Sequence, residues 1–263
     1  MADQTKYTSK LRNARILIIG GSSGIGYAVA EATLESGALV TISSSNPTRV
    51  ASAVASLKAA YPTSRIHGHA ADLSSPATLE ATLETLFQTT VAALPSQKLD
   101  HVVFTAGDAL STMAISDMSV PKVLQAGQIR FVAPLLTAKF VARFVEMSRR
   151  SSYTITTGSI SEKPMPDWAV VAAYAGGAHS MVRNLALDLK PVRVNGVSPG
   201  VVDTELWNMG KEEKERLLAR AAKGMATGVP GLPGDVAESY LAVLKDANMD
   251  GAMVRTDGGG MLM

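Results

Sequence analysis

The sequence predicts an α/β fold in which helices cover both faces of a doubly wound, seven-stranded parallel sheet, formed by a single domain, 1–263. Short apolar runs rich in β-branched residues alternate with helix-length segments along the chain. Each connection between runs has room for one crossover helix, and a glycine-rich turn follows the first run. The strands are expected at 15–20, 38–43, 65–71, 99–107, 153–159, 192–198 and 251–257.

One connection is unusual. The segment 203–233 follows the end of the sixth strand, carries an amphipathic helix and closes with Gly and Pro. This pattern favours a mobile lid over a ligand crevice, and a plain surface helix is the alternative.

Composition excludes several classes of function. The 25 Lys and Arg residues nearly balance 23 Asp and Glu, which leaves a net charge of +2 and no field strong enough to hold nucleic acid or an anionic membrane. The N-terminal stretch, 1–10, lacks an apolar signal core, and the chain has no long apolar span, so we expect a cytoplasmic protein. The chain has no cysteine, and its four histidines lack metal-ligand spacing, so we predict no metal site.

The glycine-rich turn predicts a phosphate-binding site. It lies between the first strand and the helix that starts near residue 27, where glycines let backbone N–H groups and the positive helix end approach a pyrophosphate. A tight turn without a ligand is the alternative. The predicted contacts are Gly20, Ser22, Ser23, Gly24, Ile25 and Gly26.

The end of the second strand predicts which dinucleotide binds. An acid there would hold the adenosine ribose of NAD, but this sequence has Ser43, Ser44 and Ser45, with Arg49 close behind. Hydroxyls and a guanidinium suit a 2′-phosphate, so we predict NADP(H) as the cofactor. The alternative is that these residues only start the next helix.

Taken in order, these motifs resemble the short-chain dehydrogenase/reductase family over nearly the whole chain. The likeness implies a Rossmann fold, a small-molecule substrate and a homotetramer formed through helices near 120–149 and 168–188. The matching positions, which imply cofactor contacts, are Gly20, Gly24 and Gly26, Asp72 and Leu73, Thr105, Ala106 and Gly107, Pro199 and Gly200, and Val202 and Thr204.

The family's catalytic residues are only half present. The pattern places Tyr174 on the catalytic tyrosine and Ser159, or less well Ser161, on the serine. Ala178 stands where the family has lysine, and Arg130 stands where it has asparagine. Arg130 and Tyr174 are also expected to touch the cofactor, and Arg130 could instead form a buried structural ion pair.

The missing lysine changes the expected chemistry. A ketone that accepts hydride becomes an alkoxide and needs a proton donor, which the family's lysine helps the tyrosine to supply. A C=N⁺ group becomes a neutral amine without any proton, so the sequence favours a cationic iminium substrate. Asp167 is the candidate negative partner and Trp168 a stacking wall, with a helix N-cap as the alternative role of Asp167.

A narrower resemblance rests on Arg130, the tyrosine without lysine, and the stretch P-M-P-D-W-A-V at 164–170. It is to the fungal bifunctional reductase/Diels–Alderases of indole alkaloid pathways. The resemblance implies NADPH-dependent reduction of a zwitterionic prenylated indole intermediate, followed by an intramolecular [4+2] cycloaddition. Asp167 and Arg130 would act on the substrate, and Trp168, Leu206, Trp207 and Met209 would shape its chamber, unless the last three are core packing.

Two other functions remain open at this point. One is a carbonyl reductase of secondary metabolism in which Ser159 and Tyr174 suffice. The other is a catalytically inactive NADP-binding protein, because loss of the lysine is also how an enzyme loses its activity.

Overall fold

The computed structural model describes residues 4–92, 94 and 97–263; residues 1–3 of the N-terminal stretch analysed above lie outside the described residues. Seven parallel strands form one sheet in the order β3-β2-β1-β4-β5-β6-β7, which confirms the predicted fold class. The strands are β1 (Arg15–Ile19), β2 (Leu39–Ser44), β3 (Arg65–Ala70), β4 (His101–Phe104), β5 (Ser152–Thr156), β6 (Arg193–Pro199) and β7 (Met253–Thr256).

The helices lie on both faces of the sheet because the strands are apolar on both sides. Along β1, Leu17 and Ile19 pack into one core with the helices at 79–92, 133–144 and 169–188, while Ile16 and Ile18 pack into the other with the helices at 24–35, 47–60 and 233–245. The helices are α1 (Gly24–Glu35), α2 (Pro47–Ala60), α3 (Leu79–Ala92), α4 (Val120–Gly127), α5 (Ala133–Phe144), α6 (Ala169–Asp188), α7 (Lys211–Lys223) and α8 (Pro233–Lys245).

Two helical regions differ from the rest. A π-helical segment, Gln128–Val132, joins α4 to α5 and carries Arg130. Such insertions re-aim side chains and are frequent at functional sites. Helix α7, inside the predicted lid, has no fully buried residue, so little packing holds it to the body of the protein.

Strand order decides where a ligand can bind. Successive strands are added outward from β1 to β3 on one side of the sheet and from β4 to β7 on the other, so the strand order reverses between β1 and β4. The last residues of these two strands, Ile19 and Phe104, lie side by side. In open α/β sheets such a reversal opens a crevice at the carboxyl ends of the strands. Strand β4 is shorter than predicted because the chain leaves the sheet after Phe104 and turns along this crevice. No helix in the described ranges is both long and apolar enough to cross a membrane.

Candidate active site

A cleft of about 1290 Å³ lies at this reversal point. It runs from the end of β2, across β1 and β4, to the ends of β5 and β6. Most residues predicted from the sequence line it. They are Gly20, Ser22, Ser23, Gly24, Ile25, Gly26, Ser44, Ser45, Arg49, Asp72, Leu73, Thr105, Ala106, Gly107, Arg130, Ser159, Trp168, Tyr174, Pro199, Gly200, Val202, Thr204, Leu206 and Trp207.

The glycine turn is shaped for a phosphate group. Gly20 has a φ of 98°, and a Cβ on Gly26 would lie 2.2 Å from the Gly20 carbonyl oxygen, so neither position accepts a side chain. Ser23 is the N-cap of α1 and makes no side-chain capping bond, so the first N–H groups of the helix remain available. The turn therefore fits a pyrophosphate on the N-terminus of α1.

The end of β2 supplies the groups that fit a 2′-phosphate. Ser44, Ser45 and Arg49 line the cleft there. Asn46 accepts a 3.0 Å hydrogen bond from the Arg49 N–H and caps α2, so the loop both starts the helix and faces the cleft. Ser43 does not line the cleft, contrary to prediction, because β2 continues through Ser44 and turns the Ser43 side chain into the core, where it is fully buried. Its carbonyl oxygen instead accepts the N–H groups of the glycine turn.

The hydroxyl proton of the tyrosine at the reaction end of the cleft is already used in a hydrogen bond within the protein. Its hydroxyl, on Tyr174, donates a 3.0 Å hydrogen bond to the Val123 carbonyl oxygen, and its ring packs closely on Gly127. Ala178, one turn further along α6, is buried at 2% exposure and carries no charge. Hence no lysine approaches the phenol from this turn of the helix.

The two serine candidates separate in the structure. Ser159 lines the cleft, in a short 3₁₀ turn after β5. Ser161 does not line it, and its hydroxyl is within 2.9 Å of both the Gly158 carbonyl oxygen and Nε2 of His179. Ser159 is therefore the serine that can hydrogen-bond a ligand.

Arg130 pairs with an acid that the sequence analysis did not single out. Its Nε lies 3.1 Å from Oδ1 of Asp108, and its Nη2 also donates to the Asp108 carbonyl oxygen. Partial burial lowers the pKa of the Arg130 guanidinium, and the Asp108 carboxylate opposes that shift. Asp108 directly follows Gly107, so an acid beside the β4 turn was the signal that could have found it.

Asp167 does not take the predicted place. It is exposed, has a φ of 64°, and does not line the cleft, although Met165 and Trp168 on either side of it do. The left-handed turn at Asp167 places its carbonyl oxygen 2.9 Å from the Met113 N–H, so its backbone ties this loop to the loop after β4. It does not cap α6, whose N-cap is Trp168.

The predicted lid contributes two of its three proposed wall residues. Leu206 and Trp207 line the cleft, and the indole N–H of Trp207 donates a 2.8 Å hydrogen bond to the Val202 carbonyl oxygen. Met209 does not line it, because the chain turns back at Trp207, whose carbonyl oxygen accepts the Met209 N–H. The sequence analysis missed Leu217 and Ala221, which extend the apolar wall along α7.

Comparison with known protein families gives a match over most of the chain. The family model described as an SDR-like Rossmann domain matches residues 7–263. The chain belongs to the short-chain dehydrogenase/reductase (SDR) family. No group of three or more His, Asp or Glu side chains within the described ranges is placed to hold a metal ion.

The similar SDR proteins include several from fungi. The chain is 42% identical over 267 residues to the short-chain dehydrogenase/reductase fsr5 of Gibberella fujikuroi, with all of both chains covered. It is 38% identical over 266 residues to malC of Malbranchea aurantiaca, again over both full lengths. The solved structure of that MalC reductase/Diels-Alderase superposes with a TM-score of 0.92 at 37% identity, covering 98% of this chain and 100% of MalC. A small-chain dehydrogenase solved in complex with NADPH gives a TM-score of 0.77 at 25% identity, with 95% and 100% covered.

Proposed function

We propose that this SDR protein is an NADPH-dependent reductase whose acceptor is a cationic C=N⁺ group. The observation that carries the proposal is the tyrosine: the Tyr174 proton is held by the Val123 carbonyl oxygen, and Ala178 stands where the family has lysine. A neutral ketone needs a proton as it accepts hydride. Among the described residues of the cleft, the Tyr174 hydroxyl is held by a carbonyl oxygen, and the Lys163 ammonium donates to the carbonyl oxygens of Gly260 and Met263. An iminium ion needs no proton, because its nitrogen takes the electron pair of the C=N bond and the product is a neutral amine.

NADP(H) is the cofactor that fits the cleft. The glycine turn has room and N–H donors for the pyrophosphate, and Ser44, Ser45 and Arg49 offer donors to the 2′-phosphate. NADPH, when bound, supplies the hydride. A structurally similar dehydrogenase of the same family is solved in complex with NADPH, which supports this assignment.

The residues around the reaction end bind and orient the acceptor. Ser159 offers a hydroxyl, Arg130 offers guanidinium N–H groups, and Trp168 offers an aromatic face to a positively charged ring system. Trp207 and Leu206 add apolar surface to the same cleft. This set orients a bulky, flat substrate and excludes water without transferring a proton.

We extend the proposal to a second step. The acceptor in this case also contains a C=N–C=C unit that the hydride does not reduce, so the reduced product is both an amine and an azadiene; it carries a prenyl alkene, and the same apolar chamber guides its intramolecular [4+2] cycloaddition. Likeness to the MalC reductase/Diels-Alderase over the whole chain supports this step, as does the stretch at 164–170 noted above. A prenylated indole alkaloid intermediate is the substrate class that such a chamber suits.

The first step is tested with matched acceptors. NADPH oxidation is followed with a cyclic iminium ion and with the ketone of the same ring skeleton, for the wild type and for Tyr174→Phe. We expect turnover of the iminium ion alone, and a change of less than about threefold in the variant, because the phenol donates no proton to the product. Ketone reduction at rates ordinary for the family would make this a carbonyl reductase, and NADPH binding without reduction of either acceptor would make it an inactive cofactor-binding protein.

The second step needs a product analysis. The protein, NADPH and a prenylated tryptophan-derived dipeptide aldehyde, which cyclises to the iminium ion, are incubated without oxygen, and the bicyclic product is separated on a chiral column. One enantiomer in excess supports guidance by the chamber. A racemic product equal to that formed after chemical reduction would show that the cycloaddition is spontaneous.

A further inference from the structure

The carboxylate of Asp108 has no role in the family pattern described above, yet it lies at the reaction end of the cleft. We infer that Asp108 is a positioning and specificity-determining residue, which fixes the Arg130 guanidinium and makes the cleft selective for cationic acceptors. The inference rests on the proposed function and names the group that sets its charge preference.

The contact between the two residues is a two-point clamp. The Asp108 carboxylate takes the Arg130 Nε at 3.1 Å, and the carbonyl oxygen of the same residue takes Nη2. Two contacts to one residue fix the plane of a guanidinium, whereas a single contact leaves it free to rotate. The remaining nitrogen, Nη1, has no hydrogen-bond partner within the described part of the chain, so its N–H groups stay available to a bound ligand.

The absence of a side chain at Gly107 leaves room for the Arg130 guanidinium. A Cβ on Gly107 would lie 2.9 Å from both Nη1 and Nη2 of Arg130, so the guanidinium occupies the space that a side chain would fill. The guanidinium is therefore held against the turn after β4, beside Thr105 and Ala106, which line the cleft. The clamp belongs to the reaction end of the site rather than to the protein surface.

The other acids that line the cleft have different positions or partners. The Asp72 carboxylate accepts the Ser74 N–H at 3.0 Å, and the Asp257 carboxylate accepts the N–H groups of Gly259 and Met261. Glu205 lies beside the pyrophosphate turn, near Gly24. Asp108 is thus the lining carboxylate placed next to Arg130 at the end of β4.

Charge balance turns this geometry into selectivity. Paired with Asp108, Arg130 presents hydrogen-bond donors while the pair as a whole is neutral, so it does not oppose the attraction of a cation to the aromatic face of Trp168. Unpaired, the same guanidinium would repel a positively charged acceptor within the same cleft, where partial burial limits screening. Removing the carboxylate therefore penalises a cation much more than a neutral molecule of the same shape.

The test measures binding without chemistry. The protein with saturating NADPH, whose nicotinamide ring is neutral, is titrated with a quaternary ammonium analogue of the cyclic iminium ion and with its neutral all-carbon isostere, neither of which can accept hydride. We expect the wild type to prefer the cation, and Asp108→Asn to lose at least about tenfold in affinity for it while affinity for the isostere changes less than about threefold. Asp108→Glu, which keeps the charge, should recover part of the preference.

A double variant separates charge balance from shape. Asp108→Asn combined with Arg130→Gln leaves a neutral pair of polar side chains, so the preference for the cation should return toward that of the wild type. Asp117→Asn is the matched control, because it removes one carboxylate from an exposed 3₁₀ turn that does not line the cleft. Thermal unfolding of each variant checks that the fold is retained.

Three results would overturn the inference: a wild type without preference for the cation, an equal loss of both ligands in Asp108→Asn, or loss of the preference in Asp167→Asn while Asp108→Asn keeps it. The last result would return the role to the acid first suggested by the sequence. Because neither ligand can accept hydride, the titration is independent of hydride transfer. A protein that shows the Asp108-dependent preference but reduces no iminium ion would refute the proposed function and leave this inference standing.

Discussion

Acidification should destabilise this protein through one buried histidine. His101, the first residue of β4, is 4% exposed, and its Nδ1 lies 2.8 Å from the Ser152 hydroxyl. Loss of solvation lowers the pKa of His101 from 6.5 to about 4; Asp100 opposes this shift, and Arg193 and Arg15 add to it. The folded protein therefore keeps this imidazole neutral at a pH where the unfolded chain protonates it.

The direction and size follow from proton linkage. As pH falls below 6.5, the unfolded state takes up a proton at His101 that the folded state refuses until about pH 4. Acid thus favours unfolding, and the free energy of unfolding should fall by about 2 kcal/mol between pH 7 and pH 5 from this group, and by about 3 kcal/mol once pH 4 is passed. From about one pH unit above 6.5 upward, both states hold the imidazole neutral and the group contributes no pH dependence.

Urea unfolding at pH 7 and pH 5, at one ionic strength, measures the effect. His101→Gln keeps a hydrogen-bonding side chain of similar size without the titration, so its free energy of unfolding should depend on pH by about 2 kcal/mol less than that of the wild type. NMR titration of the wild-type histidine resonances gives a second readout that does not depend on the variant. An imidazole at His101 that titrates near 6.5, or equal pH dependence in both proteins, would refute the reasoning.

Three further predictions concern the cleft. Gly26→Ala should weaken NADPH binding by more than about tenfold, because the new Cβ would meet the backbone of the glycine turn. Gly234→Ala is the control, since its Cβ would meet nothing within 4 Å, and it should bind NADPH as the wild type does. Fluorescence titration measures both affinities. Arg49→Ala should weaken NADPH by about tenfold and leave NADH unchanged, and an equal loss of both would remove the 2′-phosphate contact. Ala178→Lys should raise ketone reduction, followed as NADPH oxidation, and unchanged rates would show that the missing lysine was not the block.

The sheet could be predicted because its central strands, such as β1, β4 and β6, are buried on both faces. The central strands then appear as continuous apolar runs, and five of the seven strands begin within one residue of the predicted start, while β4 and β7 each begin two residues later. The strand that differs more, β4, ends early at Phe104, since Thr105 to Gly107 leave the sheet for the cleft. The cofactor turn was equally readable, because glycine is required there by sterics rather than by distant contacts.

The polar pairings at the reaction end depend on how loops fold, which local sequence does not encode. Arg130 and Asp108 are 22 residues apart and meet only because a π-helical segment and the β4 turn face each other. Asp167 looked suitable by charge and position, but a left-handed backbone turn leaves it exposed. Ser43 failed for a simpler reason, since β2 runs one residue further than predicted, so Ser43 lies within the strand and is fully buried, and the cleft begins at Ser44.

The weak packing of α7 affects the size of ligand that the cleft binds best. The helix has no fully buried residue, and Leu217 and Ala221 line the cleft. A ligand bound in the cleft would therefore add apolar contacts that α7 otherwise lacks. A large ligand would pack against α7 and exclude water from the cleft, whereas a small ligand would leave α7 loosely packed and the cleft hydrated. Size discrimination would then arise from the stability of the closed state, without any side chain having to clash with the smaller molecule.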